Sequence, residues 1–475
     1  MAVARNDSGS FISRGWDRFE RFSGEYPARF AIVIFLTINL VFTLLFMTPL
    51  ASADGTGTSF TDAVFTAVSV VCVTGLTIVD MATQWSPFGN ALVMVGVQVG
   101  GIGVLTLASI LGLTVSRRLG LKQRLIAASD SNPGRVRRGV VKEGQAVRLG
   151  EVGALLKLIA ASVLIFEAVI AALLFPRILL EGVAPLDAFY QAVYYSFMAF
   201  TNSGFIPTVE GLTPYATDPW FLIVLMAGVF FGALGFPVYF ALLRNLTRPH
   251  HWTLHVKLTI FTSLALFLLG GVTYLVLEWN NEATMAGTDF GQRLLQSFFM
   301  SSMARSGGFS VFDLSGLEHS SLLVTDMLMF IGGGSASTAG GVKVTTLAIL
   351  FLAAIAEARG RKSMEAFGRR IPSDVLRLSV SVVLWGATIV ALSTLILLQI
   401  TKASLDYVLF DVISAFATAG LSSGFTDDSL PDSAKLVLTI TMFVGRIGSI
   451  TLAAALAASQ KVQLFTRPEE RPIVG

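Results

Sequence analysis

Cysteine and charge are both scarce in this chain. Cys72 is the only cysteine, which excludes an internal disulfide and any metal or iron–sulfur site built from thiolates. Alone in an apolar run, it reads as a small buried residue. Charged residues make up 14% of the 475 positions, 53% are hydrophobic, and the mean hydropathy is +0.71. Soluble domains are roughly one-quarter charged, so most of this chain belongs in lipid. The opening stretch from Met1 to Arg29 has no short apolar core followed by a small-residue cleavage site, and no signal peptide is expected. The apolar stretches contain no nucleophile–base or metal constellation, which argues against an intramembrane enzyme.

What is abundant is long apolar sequence. Crossing about 30 Å of hydrocarbon takes roughly 20 helical residues. Stretches of that kind begin near Phe30, Val152, Phe221, Leu258, Val375 and Leu436. Two further spans, Phe88 to Leu113 and Leu322 to Ile355, are interrupted by glycine. Eight crossings are therefore expected.

The charges are sorted along the chain. Arg117, Arg118, Lys122, Arg124, Arg135, Arg137, Arg138, Lys142 and Arg148 share one connection with only Asp130 and Glu143. Arg359 to Arg377 is basic too, as is the shorter link holding Arg244, Arg248 and Lys257. The other connections are acidic: Asp54 and Asp62; Glu210 and Asp218; Asp313, Glu318 and Asp326; Asp427, Asp428 and Asp432. Because basic connections stay inside, both termini are expected in the cytoplasm, and juxtamembrane placement accounts for the basic runs without nucleic acid.

Between successive spans lie four shorter apolar segments, each ending in a glycine phrase: AVSVVCVTGLTIVD (Ala67–Asp80), YSFMAFTNSGFIP (Tyr195–Pro207), FMSSMARSGGFSVFD (Phe299–Asp313) and ISAFATAGLSSGFTD (Ile413–Asp427). Alignment puts Gly75, Gly204, Gly308 and Gly420 in register, each followed by Leu or Phe. A segment too short to cross, with acidic links at both ends, must dip in from outside and return. Non-helical backbone at that depth is tolerated where it lines water or is buried in protein. Four such loops would meet on one axis, and rings of their carbonyls can replace a cation's hydration shell. One glycine of this kind would more simply serve close helix packing; four equivalent ones point to a cation filter.

These phrases resemble the Trk/Ktr/HKT superfamily of potassium transporters, most closely its bacterial Ktr-type membrane subunit, over nearly the whole chain from Arg29. QVGGIGVLT (Gln98–Thr106), GGGSASTAGGVKVTT (Gly332–Thr346) and GRIGSIT (Gly445–Thr451) are similar to the family's other phrases. The resemblance implies an all-α integral membrane protein of four fused helix–pore-loop–helix repeats, with eight transmembrane helices and four re-entrant pore helices around a central pore. The expected divisions are a cytoplasmic segment 1–28, repeat 1 over 29–114, a basic link 115–151, repeat 2 over 152–247, repeat 3 over 248–357 with a broken second helix, a basic link 358–373, repeat 4 over 374–460 and a tail 461–475. It implies potassium uptake across a bacterial plasma membrane. The implied filter is Val73, Thr74, Gly75, Leu76; Asn202, Ser203, Gly204, Phe205; Ser306, Gly307, Gly308, Phe309; and Thr418, Ala419, Gly420, Leu421. Plant relatives that admit sodium often carry serine at the first glycine position, so Gly75 favours potassium.

The resemblance also implies a gate beneath the filter, formed by Gly332, Gly333, Gly334, Ser335, Ser337, Thr338, Gly340, Gly341 and Lys343, with Arg446 beside it. Its glycines and small polar residues make a poor helix and an adaptable backbone. Val342 between Gly341 and Lys343 departs from a phosphate-binding GxxxxGK[ST] loop. Arg446 lies inside the apolar run TITMFVGRIGSITLAAALA, where it serves either as a cap for carbonyls freed at the break or as a charge barrier to cations. No cofactor is implied in this chain; potassium is the transported ion, sodium a candidate activator. Implied partners are membrane lipid, a second copy in a homodimer, and a cytosolic nucleotide-binding ring.

Three features stay outside this reading. His251 and His255 are four apart, but HWTLH lacks the glutamate of HExxH, and an interfacial role fits them better. Glu167 sits within a span, unassigned between an ion or proton site and a polar contact. A secondary symporter would place its substrate at broken helices, and only the third repeat reads as clearly broken.

Overall fold

The computed structural model describes residues 27–103, 105, 149–361 and 363–458. The segment before residue 27, the basic run from Arg117 to Arg148 and the tail 461–475 lie outside the described residues. The protein is a mostly helical membrane protein. In chain order its main helices are α1 (Pro27–Phe46), α2 (Phe60–Val71), α3 (Pro87–Gly103), α4 (Leu149–Leu180), α5 (Pro185–Thr201), α6 (Pro219–Leu234), α7 (Phe236–Asn245), α8 (Leu254–Leu277), α9 (Phe290–Met303), α10 (His319–Phe330), α11 (Val344–Ala358), α12 (Ser373–Thr401), α13 (Leu405–Ala417) and α14 (Asp432–Ala458).

Among the described residues, α4 from Leu156, α8 and α12 are long and apolar enough to cross a membrane, and α6 with α7 qualifies if the bent pair is one span. These helices turn much of their apolar surface outward: Ile165 is 64% exposed, Leu269 65% and Leu384 62%. Lipid, as poor a hydrogen-bonding medium as the side chains themselves, is the solvent such faces suit.

The short helices α2, α5, α9 and α13 are built to stop. Ser59 caps α2 by accepting from the Asp62 amide while its hydroxyl donates to the Asp62 carboxylate at 2.7 Å, and Asp289 caps α9 through the amides of Gly291 and Gln292. Pro185 opens α5, where a missing N–H costs nothing. The last turns of all four are buried.

Contacts between helices run in a ring. Each short helix packs against the long helix before it: α2 on α1, α5 on α4, α9 on α8, α13 on α12. Each also meets the closing helix of the preceding repeat: α9 meets α6, α13 meets α10, and α2 meets α14. At the remaining junction, α3 to α5, a Cβ on Gly101 would sit 3.4 Å from the Thr201 side chain, an ordinary van der Waals contact.

Two closing helices are interrupted. The break between α10 and α11 falls where the glycine-rich phrase predicts it. A second break was not expected: α6 and α7 meet at 101°. Gly235, at φ +93°, ends α6, and Pro237 follows without an N–H to continue the ladder. The long apolar stretch from Phe221 is therefore broken as well as the one from Leu322 to Ile355. Between α11 and α12, a two-stranded hairpin (β1 Met364–Ala366, β2 Arg369–Ile371) turns at Phe367 and Gly368, both at positive φ. His251 lies in a separate turn, Pro249–His251, while His255 is in α8, so the two do not share a helix face.

Candidate functional site

The four loops that follow α2, α5, α9 and α13 share one backbone pattern. Gly75, Gly204, Gly308 and Gly420 have φ of +90°, +73°, +75° and +85°. Two residues earlier in each loop, Val73, Asn202, Ser306 and Thr418 are also left-handed, at +56°, +62°, +85° and +47°. The residues between, Thr74, Ser203, Gly307 and Ala419, are not. Alternating hand rotates successive peptide planes so that neighbouring carbonyls turn the same way, the arrangement a carbonyl-lined cation path needs.

The left-handed residue is part of a helix stop. After α2 the Val73 amide donates to the Val70 carbonyl at 3.1 Å and the Thr74 amide to Ser69 at 2.7 Å. The same pair recurs after α5 (Asn202 to Ala199, Ser203 to Met198) and after α13 (Thr418 to Ala415, Ala419 to Ser414). This is the Schellman closure, normally built on glycine. A β-branched Val73 or Thr418 in that conformation costs roughly 1–2 kcal/mol, a strain only an over-determined site retains. After α9 the pattern differs, with the amides of Gly307 and Gly308 both reaching the Met303 carbonyl.

The loops converge. A Cβ on Gly204 would lie 2.5 Å from the Gly308 Cα, one on Gly308 3.0 Å from the Ala419 carbonyl oxygen, and one on Gly420 2.5 Å from the Thr74 carbonyl oxygen. On Gly75 it would overlap the Ser203 carbonyl oxygen. Only glycine fits at these four positions. The residues after them, Leu76, Phe205, Phe309 and Leu421, are buried in two apolar clusters that anchor the loops from behind. Polar ties hold the rest: the Ser69 hydroxyl donates to the Leu76 carbonyl at 2.6 Å, and Ser306 to the Thr418 carbonyl at 2.9 Å, joining the third loop to the fourth.

The break at Gly332–Gly341 lies against these loops. The Thr338 hydroxyl is within hydrogen-bond distance of Phe200 O at 3.2 Å, Asn202 Oδ1 at 3.0 Å and Gly232 O at 2.9 Å, and the Gly340 amide donates to Ser306 Oγ at 3.4 Å. A Cβ on Gly340 would strike Thr418 and the Ala417 carbonyl. Gly332 and Gly333 face the returning strand of the same segment, Gly340 and Ala339. The two breaks interlock: the Gly334 amide donates to Ala233 O at 2.7 Å and the Phe236 amide to Ala336 O at 3.0 Å. Ser337 donates to Gly334 O at 2.7 Å, and the hydroxyls of Ser335 and Thr345 meet at 3.2 Å. Lys343 does not reach the four loops; its ammonium caps the carbonyls of Ala339 at 2.7 Å and Gly340 at 3.3 Å. Arg446 joins both parts, donating from Nη1 to the Thr338 carbonyl and lying 3.4 Å from Thr418 Oγ1.

On the opposite side a cavity of about 470 Å³ opens between the loops of the first and fourth repeats, lined by Thr77, Ile78, Val79, Asp80, Gln84, Thr426, Asp427 and Asp428. Three carboxylates there favour cations.

One residue of the site was missed in the sequence. Asp411, fully buried on α13, accepts from the amides of Ser423 at 2.8 Å and Thr426 at 2.9 Å and from the hydroxyls of Ser422, Ser423 and Thr426. It ties the outgoing limb of the fourth loop to its own helix, and a lone acidic residue in the apolar run YVLFDVISAFA was the available signal. Asp411→Ala leaves two buried amides without acceptors, at about 1–3 kcal/mol each. A lower thermal midpoint of the purified protein is the expected result, and an unchanged midpoint would contradict this role.

A profile of the TrkH family, described as cation transport protein, matches residues 18–463. The Ktr system potassium uptake protein D of Bacillus subtilis is 35% identical over 449 residues, covering 94% of this chain and 96% of that protein. The Ktr system potassium uptake protein B of Vibrio alginolyticus is 33% identical, covering 94% of each. The potassium/sodium uptake protein NtpJ of Enterococcus hirae is 32% identical, covering 94% and 97%. Among solved structures, the potassium transporter TrkH from Vibrio parahaemolyticus superposes with a TM-score of 0.69 at 20% identity, covering 90% of this chain and 83% of that one, a likeness of fold.

Proposed function

The chain belongs to the TrkH family of cation transport proteins, and from that premise we propose that it carries potassium into the cell through the four convergent glycine loops. It is a transporter, not an enzyme. One observation carries the reading: the left-handed pairs Val73/Gly75, Asn202/Gly204, Ser306/Gly308 and Thr418/Gly420 recur in all four loops and meet at one place. In this reading the sixteen residues from Val73–Leu76, Asn202–Phe205, Ser306–Phe309 and Thr418–Leu421 form the filter, and α2, α5, α9 and α13 are re-entrant helices among eight crossings. The mouth with Asp80, Asp427 and Asp428 faces outside, where it concentrates cations. Both termini and the basic links then lie in the cytoplasm of a bacterial cell.

The segment from Gly332 to Gly341 acts as the gate, since it lies against three of the four loops. A homodimer docked on a cytosolic nucleotide-binding ring is the assembly we propose for it, with the Ktr-system relatives as support. Sodium enters as a candidate activator or second cargo, a reading favoured by the relative named for both ions.

The test is rubidium uptake in cells lacking their own potassium uptake systems. Expression of the chain should restore uptake, and excess potassium should suppress it more strongly than excess sodium. Rubidium uptake indifferent to potassium would defeat the proposal.

A further inference from the structure

We infer that Glu167 is a resident proton site: a neutral carboxylic acid paired side by side with the Gln98 amide. Glu167 on α4 is 1% exposed. Gln98 on α3 donates from Nε2 to Glu167 Oε1 at 2.6 Å. The other atom of each group, Glu167 Oε2 and Gln98 Oε1, is buried and has no hydrogen-bond partner among the described residues. Both orphans are acceptors when the carboxyl is ionised, so the pair is one donor short. Rotating the Gln98 amide by half a turn exchanges its oxygen and nitrogen without supplying a donor.

A single proton resolves this. Placed on the carboxyl, it turns Glu167 into a donor whose nearest needy acceptor is the amide oxygen of the partner it already holds. The acid and the amide then form a two-bond ring with no orphan left. An ionised Glu167 would instead leave a buried charge that no described residue balances, and such a charge is costly to desolvate. The described part of α3 and all of α6 contain no charged residue, and α5 has only Asp187, in its first turn. On α4 itself Glu151 and Lys157 lie towards one end, and Arg177 at the other is engaged by Glu181 and Asp218. The adjacent Phe166 stacks on Phe200 and Phe231 and touches the ring of Tyr239, whose hydroxyl donates to the Phe231 carbonyl.

The place gives the proton a use. Gln98 is one turn of α3 from Gly101, whose neighbours are Thr201 at the end of α5 and Thr338 of the glycine-rich break. The acid–amide pair clasps the first repeat to the second beside that contact, and it does so without a net charge near the cation path. Glu167 is a positioning residue in this account.

Infrared spectroscopy of the purified full chain tests it. At neutral pH the wild type should show a carboxylic-acid C=O stretch that Glu167→Gln lacks, and Gln98→Leu should shift that band by removing its hydrogen-bond partner. Glu167→Gln can rebuild the ring as an amide–amide pair, so its rubidium uptake should stay within about twofold of wild type. A wild-type spectrum without the acid band, or a folded Glu167→Gln protein that no longer transports, overturns the inference. Should Glu167→Gln fail to express, the wild-type minus Gln98→Leu difference spectrum decides: a shifted acid band supports the proton and a flat spectrum refutes it. The spectral readout is independent of which cation the protein carries.

Discussion

Replacing Gly75 with serine is expected to lower the preference for potassium over sodium by about tenfold, the equivalent of 1.4 kcal/mol. Two effects combine. At φ +90° a serine is strained by roughly 1–2 kcal/mol. Its Cβ also meets the Ser203 carbonyl oxygen of the neighbouring loop and comes within 3.3 Å of the Gly420 Cα. Neither contact is with the far end of a flexible side chain, so the loops themselves must move apart. A wider ring of carbonyls compensates a smaller, more strongly hydrated ion less selectively, and discrimination is what should fall first. Gly55→Ser separates the two effects. Gly55 has a similar φ of +71° but nothing within 4 Å of a Cβ, so it carries the strain without the overlap and should leave selectivity unchanged. Reversal potentials in mixed potassium and sodium would measure both variants. A well-expressed Gly75→Ser protein with wild-type selectivity would remove Gly75 from the filter.

The register of the four glycines was legible because a repeat leaves the same phrase in equivalent places, and the structure brings Gly75, Gly204, Gly308 and Gly420 within contact of one another. The break before Lys343 was legible from composition. What could not be read was the left-handed turn two residues before each glycine. Nothing local favours that conformation at Val73 or Thr418, and β-branching opposes it; buried short helices and neighbouring loops impose it. The bend at Gly235 was hidden differently. Gly-Phe-Pro was present, but it sits in a continuous apolar run, and hydropathy records composition without direction. The same limit hides the breaks at Gly235 and between α10 and α11, which divide two of the eight stretches read from the sequence into pieces too short to span alone. Asp411 was passed over because its hydrogen bonds run to Ser422, Ser423 and Thr426, residues that become its neighbours only when the loop folds back on α13.

Arg446→Gln is expected to raise cation flux, on the order of tenfold when measured in liposomes at matched protein density. The guanidinium is 2% exposed, and its one short contact is to the Thr338 carbonyl. Nε and Nη2 have no hydrogen-bond partner among the described residues, so the charge is incompletely compensated. It lies between the glycine-rich break and Thr418, which in the proposed reading is on the path of an ion leaving the loops. Two unit charges 4 Å apart repel by about 4 kcal/mol at an effective dielectric of 20. That bare value corresponds to nearly three decades in rate, and water in the cavity with rearrangement of the break will reduce it. Glutamine keeps a donor for the Thr338 carbonyl while removing the charge, so it tests the barrier without deleting the tie between α14 and the break. Arg446→Lys makes the complementary substitution: it keeps the charge but loses the planar fork, and flux should stay low. If the arginine only held the two segments together, glutamine would give the same or lower flux and lysine would be no better than glutamine. Flux that does not rise in a folded Arg446→Gln protein therefore assigns Arg446 to structure alone, whereas a rise in glutamine without one in lysine assigns the barrier to its charge.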